Sequence, residues 1–373
     1  MYISPLFRKA RAFAEVACDR WFVISAKYGL VAPEAPIEPY DETLKGRSLS
    51  ERTVWAERVL NRLRDHVEPN SMIIVLGGSS YSVPLVELLE AEYAVVATPM
   101  GRLSIGERLQ WLNIAVGLGK KIVDLERFYY SIERLISNGQ TFSLDDQRLV
   151  DALPRRGVYF LFEPGELRRN RAASRVVRVG THAVSRNASS SLWGRLRTHR
   201  GTGDGRGSHR SSVFRLHVGR ALQNGELVYS NISTWGHGAT AERQIRDSEI
   251  PLESAVSAFI RTMTFTYVTI SDQPGAGSDR SYIERNSVAL LSTVASLVDR
   301  PSREWLGNAS DRGAIQQSGL WNLNYVGEAY DPRFLAILER YVDITLGLAS
   351  ENSKSLAPPG WRNTRSDHQS SLF

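Results

Sequence analysis

The chain is short of cysteine, of lysine and of long apolar runs, and each shortage removes a class of protein. Its single cysteine, Cys18, excludes an internal disulfide framework and any cysteine-rich zinc site. A metal, if one is used, must then be held by oxygen or imidazole ligands. No apolar stretch approaches the ~20 residues that a membrane helix needs. The opening MYISPLFRKARAFAEVACDR spreads its charges along an amphipathic pattern and has no hydrophobic core of a cleavable leader. A cytoplasmic location is the expectation. Acidic residues are also missing locally. Between Arg155 and Arg220 fifteen arginines face only Glu163, Glu166 and Asp204. A GC-rich genome accounts for arginine in place of lysine, but not for the absent carboxylates. Such clustering is the electrostatic footprint of a face that binds a polyanion.

What is present is ordinary for a folded protein: 373 residues, 42% apolar and 23% charged, with a formal charge of +6. The length suits two domains. In the first ~125 residues helix-like and strand-like segments alternate. Helical spacing runs over 5–19, 49–66, 80–91 and 104–118, and short β-rich runs occur at RWFVISA (20–26), SMIIVLGG (71–78) and AVVATP (94–99). This order predicts an α/β domain, a parallel sheet with helices on both faces. Residues 126–152 read as a helical connector. Two close β-type runs, GVYFLF (157–162) and RVVRVG (175–180), open a second domain over 153–300. A helix over 188–200, a Gly-rich loop over 201–212 and strand or mixed segments VFRLHVGRAL and FTYVTISD follow, then a strong helix over 281–298. Residues 301–373 read as a C-terminal extension whose tail, from Pro358, is disordered.

Four groups in this second half carry chemistry. GVY stands at 157–159 and RVG at 178–180, with Arg195-Leu-Arg-Thr-His199 close behind, and Glu284 lies on the late helix. In this order they resemble the GIY-YIG nuclease superfamily, an α+β fold in which a small antiparallel sheet flanked by helices gathers such groups on one face. The resemblance implies hydrolysis of phosphodiester bonds. Tyr159 would orient and deprotonate a water, assisted by His182 or His199. Arg195 would stabilise charge on the phosphate with its guanidinium fork, and Glu284 would be the ligand to Mg²⁺ or Mn²⁺. A free phenol titrates near ~10 and is a poor base at neutral pH, so cationic neighbours would be needed. The chain departs from the family in having Arg178 where a tyrosine is usual, so that either Arg178 reads phosphate or His182 takes the role. The spacing from Tyr159 to Glu284 is also long, which assigns residues 201–262 to an insertion. That insertion, holding His209, Arg210, Arg215, His217 and Trp235, either grips nucleic acid or is a folded excursion that covers the sheet. Arg197, Arg200, Arg206, His209, Arg210 and Arg215 are the candidate DNA-binding residues, Glu253 is the reserve metal ligand, and Asn308 stands nearest to the family's late asparagine.

The first domain carries SPLFRKA (4–10), SAKYGLV (25–31), IEPYDETL (37–44) and a G-R-L-S-I-G-E-R-x-x-W segment (101–111). With these it resembles an uncharacterised bacterial family, itself distantly similar to uracil-DNA-glycosylase-like proteins. Polar loops at strand ends are where open α/β sheets bind ligands, and Lys27, Tyr28, Tyr40, Asp41, Gly77, Gly78, Ser79 and Arg102 would converge there. Two tyrosines and Asp41 suit a base taken out of its stack; the plainer reading is that 27–29 and 39–41 form a stabilised turn.

The leading expectation is therefore a metal-dependent DNA endonuclease. Its first domain recognises or processes a base, modified bases included, in defence against foreign DNA; a homodimer is allowed for. A bifunctional glycosylase and strand-cleaving enzyme, and a non-catalytic nucleic-acid-binding protein, are the competing readings.

Overall fold

The computed structural model describes residues 3–93, 95–146, 153–170, 173–182, 190–225, 227–275, 277–351 and 354–361. The expected disorder beyond Pro358 falls mostly outside these residues. The chain divides into two compact units, Met1–Tyr130 with Arg168–Ala173, and Ser131–Leu167 with Ser174–Phe373.

In unit 1 the helices begin where their caps dictate. Helix α1 (Pro5–Ala17) starts with Ser4 accepting the Phe7 N–H and with proline at its first position, where no intrahelical donor is required. Strands β1 (Val23–Ser25) and β2 (Gly29–Val31) form an antiparallel hairpin. Helices α2 (Leu49–Leu63) and, later, α4 (Ile105–Leu118) each open on a reciprocal capping box, Ser48 with Glu51 and Ser104 with Glu107. Between them β3 (Met72–Ile74), α3 (Ser79–Glu90) and β4 (Val95–Ala97) make one parallel β-α-β unit. The core gathers Trp55, Ala56, Val59, Leu85 and Leu89 around β1 to β4, and the Trp55 indole N–H is satisfied by the Ser25 carbonyl at 2.8 Å. The expected parallel sheet covered on both faces is corrected: among the described residues the parallel sheet has two strands and the hairpin is a separate sheet. Runs of three strand residues are too short to build more.

The boundary between units falls within helix α5 (Lys120–Ser137). Unit 2 holds a four-stranded sheet in the order β5-β8-β6-β7, made of β5 (Phe142–Ser143), β6 (Gly157–Leu167), β7 (Ser174–Gly180) and β8 (Thr264–Thr269). Every pairing is antiparallel. β6 is central and buried from Gly157 to Glu163, which explains why GVYFLF reads as an unbroken apolar run rather than an alternating one. β5 lies inside the segment expected to be only a helical connector, so that expectation is corrected.

One face of the sheet, with Tyr159, Leu161, Phe265 and Tyr267, shares a core with α6 (Leu192–Arg200), α7 (Val213–Gly225) and α8 (Arg243–Arg261). Helix α9 (Asp279–Leu290), continued by a π-helical stretch Leu291–Ala295, and a helix over Phe334–Thr345 pack on the strands as well. Two domain-level expectations change here. Residues 201–262 contribute Phe214, Val218, Trp235, Leu252 and Val256 to this core, so they are the folded excursion and not a protruding grip. The strand or mixed segment VFRLHVGRAL is helix α7. Residues beyond 301 are no appendage either, because Trp305, Ile315 and Trp321 belong to the same core.

Candidate active site

The site forms at the end of the sheet where the start of β6 meets the end of β7. Gly157 pairs with Thr269 and Tyr159 with Gly180. Both glycines are required by close approach. A side chain on Gly157 would run into the Val268 carbonyl, and one on Gly180 would coincide with the Tyr159 phenol. The two tripeptides are thus one structural unit: the glycine of the second makes room for the tyrosine of the first.

Tyr159 is fully buried, and its oxygen lies 2.8 Å from Nε2 of His199 on α6. Nδ1 of the same imidazole lies 2.8 Å from the Ser212 oxygen at the start of α7. Burial holds the His199 titration well below the ordinary value, and the nearby charges of Arg195, Arg178 and Arg215 push the same way. His199 is therefore a neutral imidazole with a single N–H.

Arg178 is buried on β7, stacks on the Phe214 ring at 4.8 Å and donates from Nη1 to the Trp321 carbonyl at 2.7 Å. Its Nε has no partner among the described residues. Arg195 is half-buried on α6, four residues after the capping Ser191, and its charge acts on His182, His199 and Glu284 alike. Glu284 is half-buried on α9 and receives the Thr181 backbone N–H. Burial raises its carboxyl to about 7 despite the opposing fields of Arg178, Arg195 and Arg280. His182 is held at about 4, by burial first and then by Arg280. Its Nε2 lies 3.1 Å from the Arg155 carbonyl, while Nδ1 has no partner among the described residues. The six expected catalytic residues, from β6, β7, the turn after it, α6 and α9, thus meet in one electrostatic neighbourhood, and His199, not His182, is the histidine at Tyr159.

The residues expected to hold DNA divide. Arg197 and Arg206 are exposed. Arg200 is buried against Trp193. His209 is buried, stacked on Trp235 at 3.9 Å and 3.0 Å from Glu253, while Arg210 pairs with Glu249 at 2.5 Å. Arg215 has no exposed surface and donates from Nε to Glu253 at 3.0 Å. The DNA-binding expectation for His209, Arg210 and Arg215 is corrected, because their side chains are already bonded to Glu249 or Glu253 inside the fold, and Arg200 is corrected because it is enclosed. Glu253 is consumed by the same network and cannot serve as the reserve metal ligand. Asn308 is also corrected: its amide donates to the Ser302 and Arg303 carbonyls. Asn322, which the sequence reading passed over, accepts from Val179 N at 3.1 Å and donates to Val179 O at 2.8 Å along β7.

In unit 1 three of the expected pocket residues come together. Lys27 lies over the Tyr28 ring at 5.1 Å, Tyr28 meets Tyr40 edge-on at 5.5 Å, and Ser25 donates to the Tyr40 oxygen at 2.7 Å. Lys27 and Tyr28 occupy the β1–β2 turn. Gly77 closes on Ile24 of β1, and Asp41, Ser79 and Arg102 are exposed.

A sequence profile described as a GIY-YIG domain matches residues 119–347, and one described as a family of unknown function, DUF6884, matches residues 1–114. No curated protein and no solved structure matches the chain.

Proposed function

We propose, from the premise that this chain belongs to the GIY-YIG domain family, that it is a divalent-metal-dependent endonuclease acting on DNA. The observation that carries the reading is the 2.8 Å contact of Tyr159 with a neutral His199, beside Arg178, Arg195 and Glu284. The donor set fits a hard cation. Among the described residues no cluster of three acidic, histidine or cysteine side chains exists, so one carboxylate, Glu284, would hold a metal that keeps most of its waters, as Mg²⁺ does. A carboxyl raised to about 7 in the presence of three arginines still lacks compensating charge. When bound, the cation supplies Lewis-acid polarisation of the phosphate and charge relief at the leaving oxygen.

The chain's own groups do the rest. Arg195 and Arg178 orient the phosphate and stabilise its developing charge. Tyr159, once its own phenol proton has been lost, takes a proton from the attacking water, so that one water O–H bond breaks as the phenol O–H re-forms. The hydroxide oxygen bonds to phosphorus, the P–O bond to the sugar breaks, and the departing oxygen takes a proton from solvent. In unit 1 the Tyr28–Tyr40 pair with Lys27 offers a ring face and a cation to a base, which supports a share in target recognition.

Incubation of supercoiled plasmid with Mg²⁺ or Mn²⁺, followed by mapping of product ends, tests the reading. Metal-dependent nicking with 5′ or 3′ phosphate ends is expected, and a plasmid untouched with either metal, and equally untouched when base-modified, would sink it. Affinity for duplex should fall steeply with salt as counterions are released. Charge reversal at the exposed Arg197 and Arg206 should flatten that slope, whereas conservative change at the enclosed Arg215 should alter stability instead. A salt-independent affinity would remove the basic-face argument.

A further inference from the structure

Glu163, one of the three carboxylates in the basic stretch, lies buried on β6 and forms no ion pair among the described residues. Arg175, the cation whose field reaches it, is bonded at 2.6 Å to Glu166 and at 2.5 Å to the Gly319 carbonyl. Oε2 of Glu163 instead accepts two indole N–H groups, from Trp305 at 3.1 Å and from Trp321 at 3.2 Å. An indole is a donor only, so each of these enclosed rings needs an acceptor. A carboxylate meets that need and brings no hydrogen of its own to house.

Trp321 carries that bond toward the site. Its ring is enclosed, 5.3 Å from the Trp305 ring and 6.0 Å from the Phe214 ring. Its backbone N–H donates to the Val177 carbonyl on β7 at 2.8 Å, and its own carbonyl accepts Arg178 Nη1 at 2.7 Å. The Arg178 guanidinium rests over Phe214, and its Nε has no partner among the described residues. Among those residues the Trp321 carbonyl is therefore the one hydrogen-bond acceptor that sets how Arg178 points. A carbonyl held by a single backbone bond beside it can tilt. Fastening the indole of the same residue at its far end removes that freedom, and Glu163 is the fastening.

Burial raises the Glu163 carboxyl to about 7. The Trp321 indole opposes that rise, the charge of Glu166 on the same strand adds to it, and the Trp305 indole and Arg175 on β7 oppose it. Once ionised, the group is the stronger acceptor and grips both indoles; the neutral acid grips them less and carries a hydrogen that the core must house. We infer that Glu163 is a positioning residue for Arg178: its carboxylate fixes the Trp321 indole, and the carbonyl of the same tryptophan aims the guanidinium at the phosphate. The inference rests on Arg178 orienting phosphate in the reaction proposed above. Glu163 thus serves that phosphate without touching it.

The test reads the three side chains directly, by ¹H–¹⁵N correlation on the full chain with labelled tryptophan and arginine, without metal or nucleic acid. The Trp305 and Trp321 indole signals and the Arg178 Nε–H signal are assigned by their loss in Trp305→Phe, Trp321→Phe and Arg178→Lys. In the wild-type protein all three are expected to shift with one midpoint near 7. That midpoint should persist in Glu284→Gln and vanish in Glu163→Gln. Indoles that titrate while Arg178 stays still overturn the proposal, as do signals flat on both sides of neutrality or a midpoint that survives Glu163→Gln. Should the Glu163 variant fail to fold, the wild-type and Glu284→Gln titrations still decide. Cleavage gives a second reading. Glutamine imitates the neutral acid, so Glu163→Gln should lower kcat by about 10-fold at pH 8 with KM nearly unchanged. The two proteins should converge as pH falls below about 6, where the wild-type carboxyl is protonated too. A loss of equal size at both ends of that range would mean a merely structural role and overturns the proposal. A protein that cuts nothing removes the reaction, whereas an Arg178 signal indifferent to Glu163 removes the positioning, so the two failures are separate results.

Discussion

Glu284→Gln is expected to cut DNA at least ~10²-fold more slowly than the wild-type protein, the scale of losing one electrostatic element of a transition state, while binding duplex nearly as tightly. The amide keeps the shape but not the charge that a divalent cation requires, and no phosphate-facing cation is removed. The same change should stabilise the metal-free fold. Glu284 has its carboxyl raised to about 7 by burial, above its ordinary value near 4.5. An acid whose value is raised on folding binds its proton more tightly in the native chain. Its destabilising effect is absent below about 4.5, grows as pH rises, and is complete above about 7. Glutamine removes that effect, so the variant should melt higher than wild type at pH 8, by on the order of 1–3 kcal/mol, with the difference vanishing near pH 4. Thermal melts across this range in chelator, and titration calorimetry with Mg²⁺ or Mn²⁺, measure both halves. A variant that cuts at the wild-type rate would remove Glu284 from the metal, and a variant that melts lower at pH 8 would mean that the carboxylate is already compensated.

Arg195→Ala should reduce kcat by roughly 10²-fold or more, with a much smaller change in KM. Its guanidinium acts on charge that develops in the reaction rather than on the resting substrate. Lysine should rescue only part of the loss, because one ammonium cannot reproduce the planar fork. A second consequence needs no substrate. The Arg195 charge depresses the titration of His182, His199 and Glu284 together. Its removal should let all three titrate higher, and the His182 ring protons would show this first, since that group sits at about 4 in the intact protein. A KM effect alone, with the histidines unmoved, would recast Arg195 as a surface contact for the DNA backbone.

The sequence discloses the parts of this site that local chemistry dictates. Gly157 and Gly180 are legible because backbone and phenol approach too closely for any other residue, and Arg195 and His199 because four-residue spacing brings them to one side of a helix. The capping serines at 4, 48 and 104 mark their helices in the same way. What escapes is set by pairings between distant residues. The basic stretch looks like a uniform polyanion face because Glu249 and Glu253, the partners of Arg210 and Arg215, lie about forty positions later on α8. Counting charge along a window therefore reports cations that the fold has already matched. VFRLHVGRAL is read as strand or mixed because its residues are buried on several sides, and a helix enclosed by neighbours loses the one-sided pattern that identifies it. Asn322 and Ser212 were invisible because each works through a contact with another element, at β7 and α6.

The segment after Ser318 lies along the outer edge of β7. Arg175 donates to the Gly319 carbonyl at 2.5 Å, Trp321 N–H to the Val177 carbonyl at 2.8 Å, and Asn322 pairs with both backbone groups of Val179. Arg178 takes its anchor from the same stretch. During synthesis these partners are made last: by the time Tyr159, His199 and Glu284 have left the ribosome, β7 still has a bare edge and Arg178 still lacks the carbonyl that aims it. A nascent chain halted between Glu284 and Gly319 would hold every one of these groups but neither the partner of the β7 edge nor the carbonyl that anchors Arg178. The order of translation thus withholds cutting power from an incomplete molecule, and premature termination near residue 318 should yield an inert fragment prone to pair its open strand with another copy.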